Sequence, residues 1–337
     1  MLLPFGLPDF VRLNRRLGHD YIANLTFDGW WLFEEPLPVA MAALAQATDG
    51  AMYDVGANTG FYSALVGRLS PTTVVRAFEP IPAIADFARE NLAIAGLDVD
   101  RVTLEQLALS DRPGTAELFL PPEIPGRIES SASLLSDFKP TVVESVTAAT
   151  ETLDGANERF SGERVGLIKI DVEGAEHLVV AGAGGVLARD RPIVVMELLD
   201  RADFDHAQRT FDELDYRFLS LHPGFELREQ QTLRFFLDAW NHLLLPAEEY
   251  DRLRAVLSQA ASQYAQFLEA AGDPMDSAVL DRAAEKLPVS LLVDQVRVEA
   301  RAASVELRSA QAALEPKPRS LLRRAAGRAK RTLSNLR

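Results

Sequence analysis

Residues 51–60 read Ala-Met-Tyr-Asp-Val-Gly-Ala-Asn-Thr-Gly. The apolar run 51–55 carries an acid at Asp54 and gives way to a turn holding Gly56 and Gly60. Amphipathic spacing resumes at Phe61, so the stretch predicts a strand, a tight turn and a helix. Glycines let a backbone turn sharply and let a ligand approach it without a Cβ in the way. The helix N-terminus aims free N–H groups at whatever lies over the turn. The spacing departs from the dinucleotide fingerprint G-x-G-x-x-G, because Ala57 and Asn58 stand where a second glycine is needed. The departure argues against a pyrophosphate ligand and fits a nucleoside without phosphates.

Outward from this stretch, apolar runs and helical periods alternate. Strands are expected at 74–78, 102–109, 115–120, 142–150, 165–171, 192–197, 216–221 and 241–245. Helices are expected at 38–47, 60–69, 82–96, 174–188 and 203–214. Such alternation implies an α/β fold with a mainly parallel sheet covered on both faces. Upstream, Leu25–Phe33 places aromatic runs around Asp28-Gly29, the signature of a hairpin. Residues 121–140 are rich in Pro, Gly and Ser without a period, as in a lid or binding loop.

Four apolar runs lead into carboxylates: Asp54, Glu79, Asp171 and Glu197. In an open parallel sheet these strand ends share one rim, and ligands bind there. Glu79 follows Asp54 at the separation from which a carboxylate accepts hydrogen bonds from ribose hydroxyls.

The chain of 337 residues is long enough for one large α/β domain with an appendage. Cysteine is absent, which excludes disulfides and Cys-ligated zinc or iron–sulfur centres. The N-terminal residues lack the pattern of a signal peptide, and a cytoplasmic enzyme is expected. The net charge of −14 hides an asymmetry: residues 317–337 hold eight Lys or Arg and no acid, leaving 27 basic against 49 acidic groups before them. The acidic body disfavours nucleic acid as a partner.

The segments YDVGANTGFYS, AFEP, LALSDRPG, LIKIDVEGAEHLVVAGA and VVMEL, in this order, resemble the FkbM family of S-adenosylmethionine-dependent methyltransferases. The resemblance covers about residues 50–246. It implies a class I, Rossmann-like methyltransferase sheet of seven strands, mostly parallel with an antiparallel last strand. S-adenosyl-L-methionine is then the cofactor. Asp54, Gly56, Ala57, Asn58 and Gly60 surround its methionine part, Glu79 holds the ribose, and Ala108, with Gln106 and Ser110, lies by the adenine. Asp171 and Glu173 fall beside the sulfonium and the acceptor, and Ser130, Ser131 and Ser133 match a serine-rich segment of the family. The resemblance also implies O-methylation of a small molecule or glycan.

Transfer to a hydroxyl needs alignment and a base. Asp171, Glu173 and Glu197 are the candidate catalytic groups, with His222 beside them; no metal is expected. Two other readings stand against this one: an NAD-dependent oxidoreductase, and a non-catalytic methyltransferase fold serving as a scaffold.

The expected organisation is an N-terminal hairpin and helix at 1–49, the methyltransferase domain at 50–246, a helical extension at 247–315 and a basic tail at 316–337. Val289, Val293, Val296, Ala300, Ala303, Leu307, Ala310 and Leu314 alternate four and three apart, a seam compatible with a homodimer. The tail has an amphipathic outline compatible with peripheral contact to an anionic membrane.

Overall fold

The structure, a computed structural model, describes residues 34–120, 133–135, 144–200 and 203–271. The expected hairpin at 25–33, most of the 121–140 loop, the heptad seam and the basic tail lie outside the described residues. The chain divides into two compact units, Met1–Phe267 and Leu268–Arg337.

Helix α1, Leu37–Gln46, leads into β1, Ala51–Val55. Then come α2, Phe61–Leu69; β2, Val75–Phe78; α3, Pro82–Ile94; and β3, Val102–Glu105. Three more strands follow: β4, Ala108–Leu109; β5, Gly114–Leu120; and β6, Glu144–Glu151. Next are α4, Leu153–Arg159; β7, Val165–Ile170; α5, Glu176–Ala181; α6, Gly184–Asp190; and β8, Ile193–Glu197. The series closes with α7, Phe204–Glu213; β9, Tyr216–His222; β10, Glu226–Gln230; β11, Asn241–Pro246; and α8, Tyr250–Ala271.

Eight strands form one sheet in the order β10-β9-β11-β8-β7-β1-β2-β3. Neighbours from β8 to β3 are parallel. β11 runs antiparallel to both β8 and β9, as expected of the last strand. The chain steps outward from β1 to β3 and then returns to β7 on the other side of β1. That reversal makes the β1/β7 edge a topological switch point, where such sheets bind ligands.

Parallel strands covered on both faces read as continuous apolar runs, and β1, β7 and β8 are buried throughout. Helix α1 contains no charge, and Leu37 through Ala45 are all buried. Each of its larger side chains contributes about 1.5–3 kcal/mol by burial. α8 adds Leu253, Leu257, Ala260 and Tyr264 to the interior.

Three expectations change. The single strand at 102–109 is two: β3 is the edge of the main sheet, and β4 joins β6 and β5 in a separate three-stranded sheet. An edge strand has no partner on its far side to hold it in line, so the chain is free to leave. The helix at 174–188 breaks at Gly182, where an added Cβ would stand 2.1 Å from the Ser110 carbonyl oxygen. The segment 223–240 holds an extra strand, β10, so the sheet has eight strands rather than seven.

Candidate functional site

The turn after β1 is built by its own backbone. Gly56 and Ala57 both donate to the Phe78 carbonyl at 3.0 Å, which ties the turn to the end of β2. Gly56 has φ +79°, and a Cβ there would fall 1.8 Å from the Asp171 carbonyl oxygen. Only glycine lets β1 pass this close to the end of β7. Asn58 also takes a left-handed conformation, with φ +50°, and Gly60, at φ +76°, opens α2.

Asp54 lies on β1, fully buried. Its Oδ2 accepts from the Ser63 hydroxyl on α2 at 2.6 Å, while its Oδ1 is buried without a hydrogen-bond partner. Burial raises its pKa, against the opposing pull of Lys169 and Ser63. Glu79, directly after β2, accepts from the backbone N–H of Asn58 through Oε2 and of Ile81 through Oε1, both at 2.9 Å. Burial pushes its carboxyl up to about 7 despite these two donors.

At the end of β7, Lys169 is buried inside an apolar strand, and its Nζ donates to Asp171 Oδ2 at 2.8 Å. Its register partner across β1 is Asp54. The ammonium also sits 4.7 Å from the centroid of the Tyr62 ring, a cation–π seat. The Tyr62 hydroxyl in turn donates to Glu34 Oε2 at 2.6 Å. Burial alone would lower the Lys169 pKa, but Asp171, Asp54 and Glu34 outweigh it and raise it.

The next turn holds Glu173 at φ +56° and Gly174 at φ +99°. Glu176 supports it: Oε1 accepts from the Val172 and Gly174 N–H groups at 3.2 and 3.0 Å. Burial pushes the Glu176 carboxyl up to about 7. Glu197 ends β8 and is buried. Burial first, then the charges of Asp171, Glu173, Glu34 and Glu176, raise it well above the usual carboxylate range.

Asp54, Glu79, Asp171 and Glu197 thus occupy the C-terminal ends of four adjacent parallel strands, with Glu173 in the turn beyond Asp171. From the long loop, Ser133 pairs with Phe119, and a Cβ on Gly174 would touch Leu135 at 3.6 Å. Leu135, two residues past Ser133, therefore reaches the turn that carries Glu173. Ala108 is buried in the second sheet, paired with Thr150. Among the described residues no group of three His, Asp or Glu is placed to hold a metal ion, and no helix is long and apolar enough to cross a membrane.

Residues 54–218 match the model of the methyltransferase FkbM domain. This segment is a methyltransferase FkbM domain. The chain is 28% identical over 201 residues to 2-O-methyltransferase NoeI of Sinorhizobium fredii, covering 56% of this chain and 78% of that protein. It is 30% identical over 157 residues to methyltransferase sdnD of Sordaria araneosa, covering 38% of this chain and 58% of that one. The crystal structure of methyltransferase FkbM from Methylobacillus flagellatus aligns with a TM-score of 0.38 at 16% identity, over 58% of this chain and 43% of that chain.

The FkbM domain carries all four rim acids. Sequence reasoning missed the groups that hold them: Ser63, Lys169, Tyr62, Glu176 and Glu34. Lys169 had a signal, since a lysine inside a buried strand needs a countercharge nearby. Glu34 had none, because it stands before the FkbM domain and reaches it only through the fold. His222, considered as a base, ends β9 fully buried. Its Nε2 meets Ser220 Oγ at 2.9 Å and its Nδ1 meets Asp238 Oδ2 at 3.2 Å. Both nitrogens are thus engaged in a network beyond the FkbM domain.

Proposed function

We propose that this methyltransferase moves the methyl group of S-adenosyl-L-methionine to a hydroxyl of a sugar, glycan or secondary metabolite. The observation that carries the reading is the paired rim formed by Asp54 and Glu79 around a glycine turn. Asp54 presents a buried oxygen without a partner, which a bound donor group would satisfy. Each Glu79 oxygen spends one lone pair on a backbone N–H and retains another for a ribose hydroxyl. The turn between them has the left-handed backbone that lets a ligand lie against the main chain.

When bound, the cofactor would supply an electrophilic methyl group on a cationic sulfonium, whose leaving group is a neutral thioether. Asp54 and the turn hold its methionine part, Glu79 its ribose, and Ala108 marks the adenine side. Asp171 takes the acceptor's hydroxyl proton, with Glu173 beside it in the turn. Glu197, whose pKa burial and its acidic neighbours raise well above the usual carboxylate range, orients the acceptor.

The hydroxyl acceptor draws support from NoeI, named as a 2-O-methyltransferase. The intact Asp54, Glu79 and Asp171 argue against a scaffold without activity. The test is transfer of labelled methyl from S-adenosylmethionine to a panel of glycans, nucleotide sugars, amines and thiols. Label released as an O-methyl product supports the proposal. Label found only on nitrogen or sulfur contradicts it.

A further inference from the structure

Lys169 stands out as a buried charge within an otherwise apolar strand. Its neighbours on β7, Ile168 and Ile170, fill the interior with apolar side chains. Replacing a buried ion pair by apolar groups is often neutral or stabilising. The ammonium nevertheless hydrogen-bonds Asp171 at 2.8 Å, and Lys169 is the register partner of Asp54 on β1, whose charge also acts on it. Tyr62, from the first turn of α2, covers it.

Resting on the cofactor reading above, we propose that Lys169 sets the preference of the site between the cationic sulfonium donor and its neutral thioether product. Methyl transfer removes one positive charge from the bound cofactor. Asp54 and Asp171 without a countercharge would form a cation trap. Such a trap stabilises the sulfonium before reaction more than in the transition state, where the charge is spreading, and so opposes the reaction. The Lys169 ammonium offsets one of the two carboxylates. Its seat on Tyr62 holds it at that point, so the compensation is built in rather than supplied by solvent. Lys169 is in this sense a positioning residue: it acts through the two aspartates and the field they make.

Titration calorimetry of the full chain with S-adenosylmethionine and with S-adenosylhomocysteine tests this, and it needs no acceptor. Lys169→Met shifts the ratio of the two affinities toward S-adenosylmethionine by roughly tenfold, the scale of one unit charge at several ångströms in a partly screened site. Lys169→Gln, which keeps a donor for Asp171 but no charge, gives the same shift. Lys169→Arg retains the wild-type ratio, and Lys169→Met with Asp171→Asn returns it to within about twofold, because the net charge is restored. A merely structural lysine would weaken both ligands alike. A ratio within about twofold of wild type in both uncharged single variants overturns the proposal. Failure of the wild-type chain to bind either ligand would overturn the cofactor reading itself, a distinguishable result.

Discussion

The backbone N–H of Asn58 donates to Oε2 of Glu79 at 2.9 Å, so the glycine turn and the acid after the next strand form one unit. Motif and acid, 21 residues apart in sequence, are a single hydrogen-bonded cradle. Glu79→Ala removes both the proposed ribose acceptor and the anchor of the turn. Its affinity for S-adenosylhomocysteine is expected to fall at least tenfold, about 1.4 kcal/mol. Glu79→Gln, which keeps one acceptor oxygen, is expected to fall less. Fluorescence or calorimetric titration checks the order, and equal affinities in all three proteins would exclude Glu79 from the site.

Gly56→Ala places a methyl group 1.8 Å from the Asp171 carbonyl oxygen at φ +79°. Neither strand can shift without disturbing the β1–β7 pairing. The expected cost is about 3 kcal/mol or more, seen as loss of soluble protein or a large drop in Tm. A melting temperature equal to wild type would show that this crossing is looser than described.

Glu176 couples stability to pH. Its folded-state pKa near 7 lies above the ordinary value of 4.5, so folding favours its protonated form. Below pH 4.5 that advantage is complete, and it is lost as pH rises to 7. Glu176→Gln keeps an oxygen for the Val172 and Gly174 N–H groups but cannot ionise. The stability of the variant relative to wild type should therefore rise through this window, at up to about 1.4 kcal/mol per pH unit. Urea denaturation at several pH values measures it. A flat difference would mean that Glu176 ionises as freely in the folded chain as in the unfolded one.

The Ser220–His222–Asp238 network is expected to support structure rather than chemistry. Burial lowers the His222 pKa against the pull of Asp238. Asp238→Ala leaves the buried Nδ1–H without this acceptor, at a cost of about 1–3 kcal/mol. Affinity for S-adenosylhomocysteine is expected to stay within about twofold, as for distant independent sites. A tenfold loss of affinity without loss of stability would bring this network into the site.

The rim was legible because its signals are local. Each acid follows an apolar run, and the departures from the dinucleotide pattern at Ala57 and Asn58 lie within one turn. The antiparallel placement of 241–245 came from the family resemblance rather than from any pattern in the residues. The break between β3 and β4 was not legible, since apolar residues continue through Leu107, Ala108 and Leu109. Gly182 ends α5 because of a tertiary contact with Ser110 that no helical period records. β10, Glu-Leu-Arg-Glu-Gln, is an edge strand with polar residues on both sides and shows no alternation. Glu34 was hidden most completely: it meets Tyr62 across 28 residues of chain.

The most direct test of the central claim, that the Asp54–Glu79 rim binds the methyl donor, is calorimetry of the full chain with S-adenosylhomocysteine and, separately, with NAD. The account predicts saturable one-to-one binding of S-adenosylhomocysteine, weakened by Glu79→Ala, and no binding of NAD. Binding of NAD without binding of S-adenosylhomocysteine would contradict it.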